Sequence, residues 1–265
     1  MRIVTLSSDF GISDYACGIM AGVVLKIAPD VRVLDISHDI PRHDIMAGSR
    51  LLDRCLPYFP EGTIHVMVVD PGVGTHRKPM AARLGSQFFV GPDNGLITLG
   101  YERARSQNWP IEFFHLDHPE FFLPVVSRVF HGRDVFAPAA GHIASGIPLE
   151  QIGTRIDEPV LLPIPLPSAE DFGWVGEVMH IDRFGNLSTN ITANHLAGMG
   201  PVQIAIGGEV ISGLSKTFGS APPGELIALM DSSGYLCISV VNGSAAGRLK
   251  AKSGARVEVY PLSND

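Results

Sequence analysis

Ile64-His-Val-Met-Val-Val-Asp70-Pro-Gly-Val-Gly-Thr-His-Arg77 decides how this chain folds. An apolar run, Val66 to Val69, stops at Asp70, and a Pro-Gly-x-Gly turn carries the backbone on to Arg77. A short apolar run closed by turn residues reads as a strand buried in a parallel sheet. Open α/β sheets bind ligands in the crevice beyond the carboxyl ends of such strands. Asp70 therefore stands at the rim of an expected pocket, with Arg77 near enough to fold back beside it. The same Asp70 can equally cap the turn, and these residues alone do not separate the two readings.

Working outward, the preceding chain supplies two more units of the same kind. Ile3–Leu6 reads as a strand ending in Ser7-Ser-Asp9-Phe-Gly11, followed by a helix from about Tyr15 to Ala28. Val31–Ile36 reads as a second strand running into Ser37-His-Asp39, and a second helix spans about Asp44 to Tyr58. The order β-α-β-α-β predicts right-handed crossovers and a mainly parallel sheet flanked by helices. Beyond Arg77, strands are expected over Met80–Leu84, Gln87–Val90 and Ile111–Leu116, and helices near Leu96–Ala104 and from Phe130-His-Gly-Arg-Asp134 to about Ala144.

The pattern then changes. Pro159, Pro163, Pro165 and Pro167 crowd one stretch, which is linker composition. After it come short segments separated by Gly, Asp, Asn and Ser: Trp174–Ile181, Val202–Ile206, Leu226–Met230, Tyr235–Val241 and Ala255–Tyr260. These suggest a small β barrel or sandwich. The expected organisation is an α/β domain over residues 1–156, a proline-rich linker over 157–172, and a β-barrel domain over 173–265.

Composition removes several classes of function. A formal net charge of −7 argues against a nucleic-acid surface, which needs a basic face. No apolar run approaches the ~20 residues of a membrane span, and the amino terminus lacks a signal-peptide layout. Three scattered cysteines form no CxxC pair and indicate neither a disulfide framework nor a zinc knuckle. A cytoplasmic, soluble protein acting on a small molecule is expected.

Polar residues gather where strands are expected to end: Asp9, Asp35 with His38, Asp70, then Phe130-His131 at a helix entrance. Several such groups at one sheet edge describe a site. GxGxxG is absent after the first strand, and Pro71-Gly-Val-Gly-Thr75 lacks the Gly-Lys-Ser/Thr ending of a phosphate loop, so neither nucleotide motif applies. His38, Asp39, His43 and Asp44 fit no zinc spacing, and capping and loop solvation explain them better. Asp182-Arg-Phe-Gly-Asn186-Leu-Ser-Thr-Asn190 is richer in polar groups than a hairpin requires, although a glycine turn stabilised by Asp and Asn accounts for it.

Taken together and in order, six segments resemble one family: Thr5-Leu-Ser-Ser-Asp9-Phe-Gly, Val69-Asp70-Pro-Gly-Val-Gly-Thr75 with Arg77, Gly91-Pro-Asp-Asn-Gly-Leu96, Phe130-His-Gly-Arg-Asp134, Asp182-Arg-Phe-Gly-Asn186 and Asn242-Gly-Ser-Ala-Ala246. The chain resembles the S-adenosylmethionine hydroxide adenosyltransferases, hydrolases that yield adenosine and methionine, and is similar to the fluorinases and chlorinases. The resemblance implies an α/β amino-terminal domain and a carboxy-terminal barrel, in homotrimers whose sites lie between the amino-terminal domain of one subunit and the barrel of the next. It implies a water-activating set at Asp70, Arg77 and His131, with Asp9 on the ribose hydroxyls and Asp182 on the methionine ammonium. Phe130, Phe184 and Phe218 correspond to aromatic walls, Asn186 and Ser232 to further polar contacts, and Asp70 also faces the substrate. Ser233 stands where the fluorinase has an arginine. Neither metal nor cofactor is implied. A non-catalytic module that binds S-adenosylmethionine or adenosine and a halide-dependent adenosyl transferase are the alternatives. Halogenating relatives do not keep the Asp–Arg–His set, which favours hydrolysis here.

Overall fold

A computed structural model describes residues 2–262. The chain divides into two compact units, Met1–Pro163 and Ile164–Asp265.

In the first unit, strand β3 (Ile64–Val68) is buried along its whole length. It pairs in parallel with β1 (Ile3–Ser8) on one side and with β5 (Gln87–Pro92) on the other. Strand β2 (Arg32–Ser37) continues the parallel order beyond β1. β4 (Pro79–Leu84) runs antiparallel to both β5 and β6 (Ile111–His115), and β7 (Thr154–Ile156) is antiparallel to β6. The seven-stranded order is β2-β1-β3-β5-β4-β6-β7. The mainly parallel sheet expected from the opening stretch is therefore present, and its far half turns mixed because Gly85 closes the tight hairpin from β4 into β5.

Residues of β3 alternate between two cores. Ile64, Val66 and Val68 join Leu6, Val24, Phe136 and Ile143 on one face, while Met67 and Val69 join Leu52, Phe89 and Leu96 on the other. Helices α1 (Ala16–Ile27) and α4 (Ala137–Ala144) contribute to the first core, and α2 (Ile45–Cys55) and α3 (Thr98–Ser106) to the second. Burial of both sheet faces is the reason β3 reads as an unbroken apolar run. A one-turn helix, α5 (Leu149–Ile152), leads into β7.

A polar chain crosses this interior. The Thr5 hydroxyl lies 2.8 Å from His65 Nδ1, His65 Nε2 lies 2.8 Å from Gln87 Oε1, and Gln87 Nε2 donates to the carbonyls of Leu56 and Phe59 at 2.9 and 3.0 Å. Because the Gln87 amide nitrogen faces two carbonyls, its oxygen faces His65 and must accept from Nε2–H. Burial pushes the imidazole pKa below the ordinary value, which favours the neutral ring.

The second unit is antiparallel throughout, with strands β8 (Ser168–Glu170), β9 (Gly173–Ile181), β10 (Leu187–Thr192), β11 (Val202–Ile206), β12 (Glu209–Ser212), β13 (Leu226–Met230), β14 (Tyr235–Val240) and β15 (Arg256–Pro261). Seven of them follow the order β12-β11-β15-β9-β10-β14-β13, and β8 pairs with β9. Ser215, just past β12, donates its N–H to Ala228 of β13 at 2.7 Å, so the two edges of the sheet nearly close into a barrel. Its interior is an apolar cluster that includes Val178, Ile191, Ile204, Leu236 and Val259. Two short helices, α6 (Ala193–Leu196) and α7 (Ala245–Leu249), complete the unit.

Replacing Gln87 with Leu would leave His65 Nε2–H and two carbonyls without their partner. At about 1–3 kcal/mol for each unsatisfied buried group, urea unfolding is expected to show a loss of about 2 kcal/mol or more. An unchanged midpoint would mean that the network contributes nothing to stability.

Candidate active site

Parallel register brings the sheet's polar ends together. Ser8 pairs with Val68, so Asp9 and Asp70 leave adjacent strands at the same carboxyl edge. The exit of β3 is held from the side, because Asn94 Nδ2 donates to the Val69 carbonyl at 2.9 Å. Thus Asn94 of the Gly-Pro-Asp-Asn-Gly segment supports the site as a brace.

Two successive turns then bring Arg77 back to Asp70. Val73 N–H bonds to the Asp70 carbonyl at 3.2 Å, and Thr75 N–H bonds to the Gly72 carbonyl at 3.1 Å. Gly74 has φ +75°, and a Cβ there would lie 2.3 Å from the Arg128 carbonyl oxygen. Only glycine meets both the left-handed backbone and the missing side chain. Arg77 Nε donates to Asp70 Oδ1 at 2.9 Å and to Oδ2 at 3.0 Å, and Nη2 adds a short contact to Oδ2. Both side chains are more than nine-tenths buried, and the guanidinium lies over the Phe136 ring at 5.2 Å. Such a fork fixes the carboxylate plane as well as its charge.

His131 arrives from a different element. It precedes a π-helical turn, Gly132–Phe136, that runs directly into α4. Asp134 within that turn is fully buried and accepts from the Ser127 N–H at 2.8 Å and from Arg133 Nε at 2.6 Å, fastening the approach to Phe130. Arg77 Nη2 stands 3.0 Å from His131 Nδ1. Arginine only donates, so Nδ1 accepts and the ring hydrogen resides on Nε2. Burial, and then the Arg77 charge, pushes the His131 pKa below its ordinary value, against the opposing pull of Asp70 and Asp134. The three side chains that the family resemblance singled out thus form one connected cluster, with Arg77 at its centre.

Asp70 and His131 line a cavity of about 370 Å³ together with Asp9, Phe10, Arg42, His43, Val73, Val129 and Phe130 among others. Asp9 Oδ2 accepts the His43 N–H at 2.9 Å, and Phe10 meets Phe130 edge to face at 5.9 Å. Phe10 and Arg42 carry no site signal in the sequence, and His43 reads there only as a loop residue. What brings Arg42 and His43 here is the segment His38–Asp44 itself: Asp44 caps α2 by accepting from Ala47 N–H at 2.8 Å, which turns the residues before it toward Asp9.

The second unit holds a separate cavity of about 790 Å³, lined by Asp182, Phe184, Asn186, Phe218, Val241, Asn242 and Gly243 among others. Asp182 organises the turn, since Oδ1 accepts from the N–H of Phe184 and of Asn186, each at 2.9 Å, and Oδ2 accepts from Asn186 Nδ2 at 2.8 Å. Gly185, at φ +83°, packs against Ser244, where a Cβ would meet Oγ at 2.0 Å. Phe184 is 77% exposed. Ser232 is exposed on the turn between β13 and β14 and is not among the residues lining this cavity. Among the described residues no group of three or more His, Cys, Asp or Glu is arranged to hold a metal ion, and no helix is long and apolar enough to cross a membrane.

Comparison with known proteins agrees with this layout. Residues 4–153 match the SAM hydroxide adenosyltransferase N-terminal domain, and residues 176–258 match the corresponding C-terminal domain. The chain is 38% identical to a Thermus thermophilus protein named (R)-S-adenosyl-L-methionine hydrolase, over 98% of this chain and 100% of that one. It is 35% identical to a protein of the same name from Salinispora arenicola, over 97% of each, and 28% identical to a Nocardia brasiliensis fluorinase, over 97% of this chain and 96% of that one. A crystal structure of an uncharacterized conserved protein from Thermotoga maritima superposes with a TM-score of 0.87 at 33% identity, covering 97% of this chain and 99% of that chain. Fold, site and whole-length similarity agree: this chain belongs to the SAM hydroxide adenosyltransferase family.

Proposed function

We propose that this chain hydrolyses S-adenosyl-L-methionine to adenosine and L-methionine, by attack of one activated water on the ribose 5′ carbon. The connected Asp70–Arg77–His131 cluster at the wall of the cavity carries the reading. The names of relatives at 34–38% identity support it and specify the R configuration at sulfur. The sulfonium is already a good leaving group, so the difficulty is the nucleophile, since water of pKa about 15.7 supplies little hydroxide at neutral pH.

The hydrogen-bond directions divide the labour. His131 is neutral with its hydrogen on Nε2, so it serves as a donor that orients a lone pair of the water. Asp70 is then the acceptor, taking the proton as the C–O bond forms and the C–S bond breaks, its electron pair passing to sulfur. Arg77 keeps Asp70 in place and keeps the imidazole neutral. The step neutralises the carboxylate and the sulfonium together, so a site closed to bulk water favours it. In the same reading Asp9 holds the ribose hydroxyls, Phe130, Phe184 and Phe218 wall the ligand, and Asp182, Asn186 and Ser232 serve its polar groups.

We also propose a homotrimer with sites at subunit interfaces. The exposed apolar side chains Ile12, Tyr15, Val125 and Val129, 74–85% accessible in the first unit, support a covering partner.

Incubation with the R epimer in oxygen-labelled water should yield methionine and adenosine with the label at the 5′ hydroxyl. Asp70→Asn should lower kcat by about two to four orders of magnitude, and an unchanged rate would remove Asp70 from its role. Protonation of His131 places a second hydrogen opposite Arg77, so activity should fall on the acid side, with an inflection below the usual histidine value of about 6.5. His131→Gln, which keeps a donor but does not titrate, should flatten that limb; a limb left in place would assign it to another group. Light scattering should give three times the 28.4 kDa chain mass.

A further inference from the structure

The carboxyl ends of β1 and β2 hold a second polar cluster that the proposed hydrolysis does not use. Ser8 and His38 are buried, 1% and 5% exposed, with Ser8 Oγ 2.8 Å from His38 Nδ1. His38 Nε2 lies 3.1 Å from Asp35 Oδ1. The Phe10 N–H donates to Ser8 Oγ at 3.3 Å, and Cys17 Sγ lies 3.8 Å from the same oxygen. Serine, histidine and aspartate in a row repeat the order of a hydrolytic triad. Here the serine is closed to solvent, its acceptor side is occupied by a backbone N–H, and it presents no nucleophile.

What the row does hold is backbone. Gly11 N–H bonds to the His38 carbonyl at 2.7 Å, and Ile40 N–H bonds to the Ser8 carbonyl at 3.3 Å. His43, held at φ +63°, then donates its N–H to Asp9 Oδ2. Asp9, Phe10, Arg42 and His43, all lining the 370 Å³ cavity, are thereby suspended between two segments joined through Ser8 and His38.

We infer that Ser8 and His38 are positioning residues: their hydrogen bond sets the Asp9–Phe10 turn against the 38–43 segment, and so sets how tightly the cavity discriminates a ribose diol from a deoxyribose. The inference rests on Asp9 holding the ribose hydroxyls and deepens that assignment. A carboxylate clamps two vicinal hydroxyls only when its plane is fixed, because each hydroxyl must meet its own oxygen along a lone pair. His43 restrains the carboxylate from one side, and Ser8 restrains the backbone that carries it from the other.

Calorimetric binding of adenosine and 2′-deoxyadenosine, with steady-state turnover, tests this on wild type, Ser8→Ala, His38→Ala and His38→Asn. Wild type should prefer adenosine. Ser8→Ala and His38→Ala should lose about tenfold in adenosine affinity, with much less change for 2′-deoxyadenosine. KM should rise in step, with kcat little changed, because Asp70, Arg77 and His131 stand on other elements. His38→Asn, whose side-chain amide can accept from or donate to Ser8 Oγ, should restore discrimination. A lower melting temperature with wild-type discrimination in both alanine variants would reduce the pair to fold stability and overturn the inference. Should His38→Ala fail to fold, Ser8→Ala and His38→Asn carry the same comparison. Wild type that binds adenosine but forms none from substrate would instead overturn the hydrolase reading.

Discussion

The site depends on one guanidinium serving two partners. Arg77 spends its Nε and one face of Nη2 on Asp70 and turns the rest of Nη2 to His131. Its charge pushes the His131 pKa down, against the upward pull of the Asp70 carboxylate. The carboxylate is held in a fixed plane and the imidazole in one tautomer. A residue incapable of proton transfer thus decides where protons can go.

Everything that positions Arg77 is local backbone chemistry. The turn after β3 has to reverse within a few residues, which is why it is written as Pro-Gly-Val-Gly. The strand before it has to end at a defined height, which Asn94 secures by gripping the Val69 carbonyl. Asp134 does the same for the opposite arm, trading a fully buried charge for bonds to Ser127 and Arg133 that hold the segment leading to His131. The first unit alone accounts for the geometry of the Asp70–Arg77–His131 cluster. Asp182, Phe184, Asn186 and Phe218 of the second unit gather in a cavity of their own, shaped by the Asp182 turn, and Ser232 stands outside it.

Much of this was legible in the residues. The β-α-β-α-β order, the buried character of β3 and the return of Arg77 to Asp70 follow from apolar periodicity and turn chemistry, which are local signals. That Asp70, Arg77 and His131 meet came from the family resemblance, because 54 residues separate Arg77 from His131 and no spacing rule reaches that far. β10 was missed because Leu187-Ser-Thr-Asn-Ile-Thr has the composition of a loop. Its buried polar groups are satisfied sideways: Thr189 donates to the Leu236 carbonyl, and Asn190 bonds to Pro165 and Glu177. A register shift between Ser188 and Thr189 also breaks the alternation that would have revealed it. The Ser8–His38 pair escaped notice for a related reason, since a hydrogen bond between two strand ends leaves no periodic trace.

The contact beneath Gly74 has a mechanical consequence. Its bare α-carbon rests on the Arg128 carbonyl, and Arg128 lies three residues before His131. The loop bearing the carboxylate and the stem bearing the imidazole are therefore seated on one another, with no side chain between them to act as a bearing. Neither can be displaced toward the other without displacing it as well, and a side chain at residue 74 would push the two arms of the cluster apart.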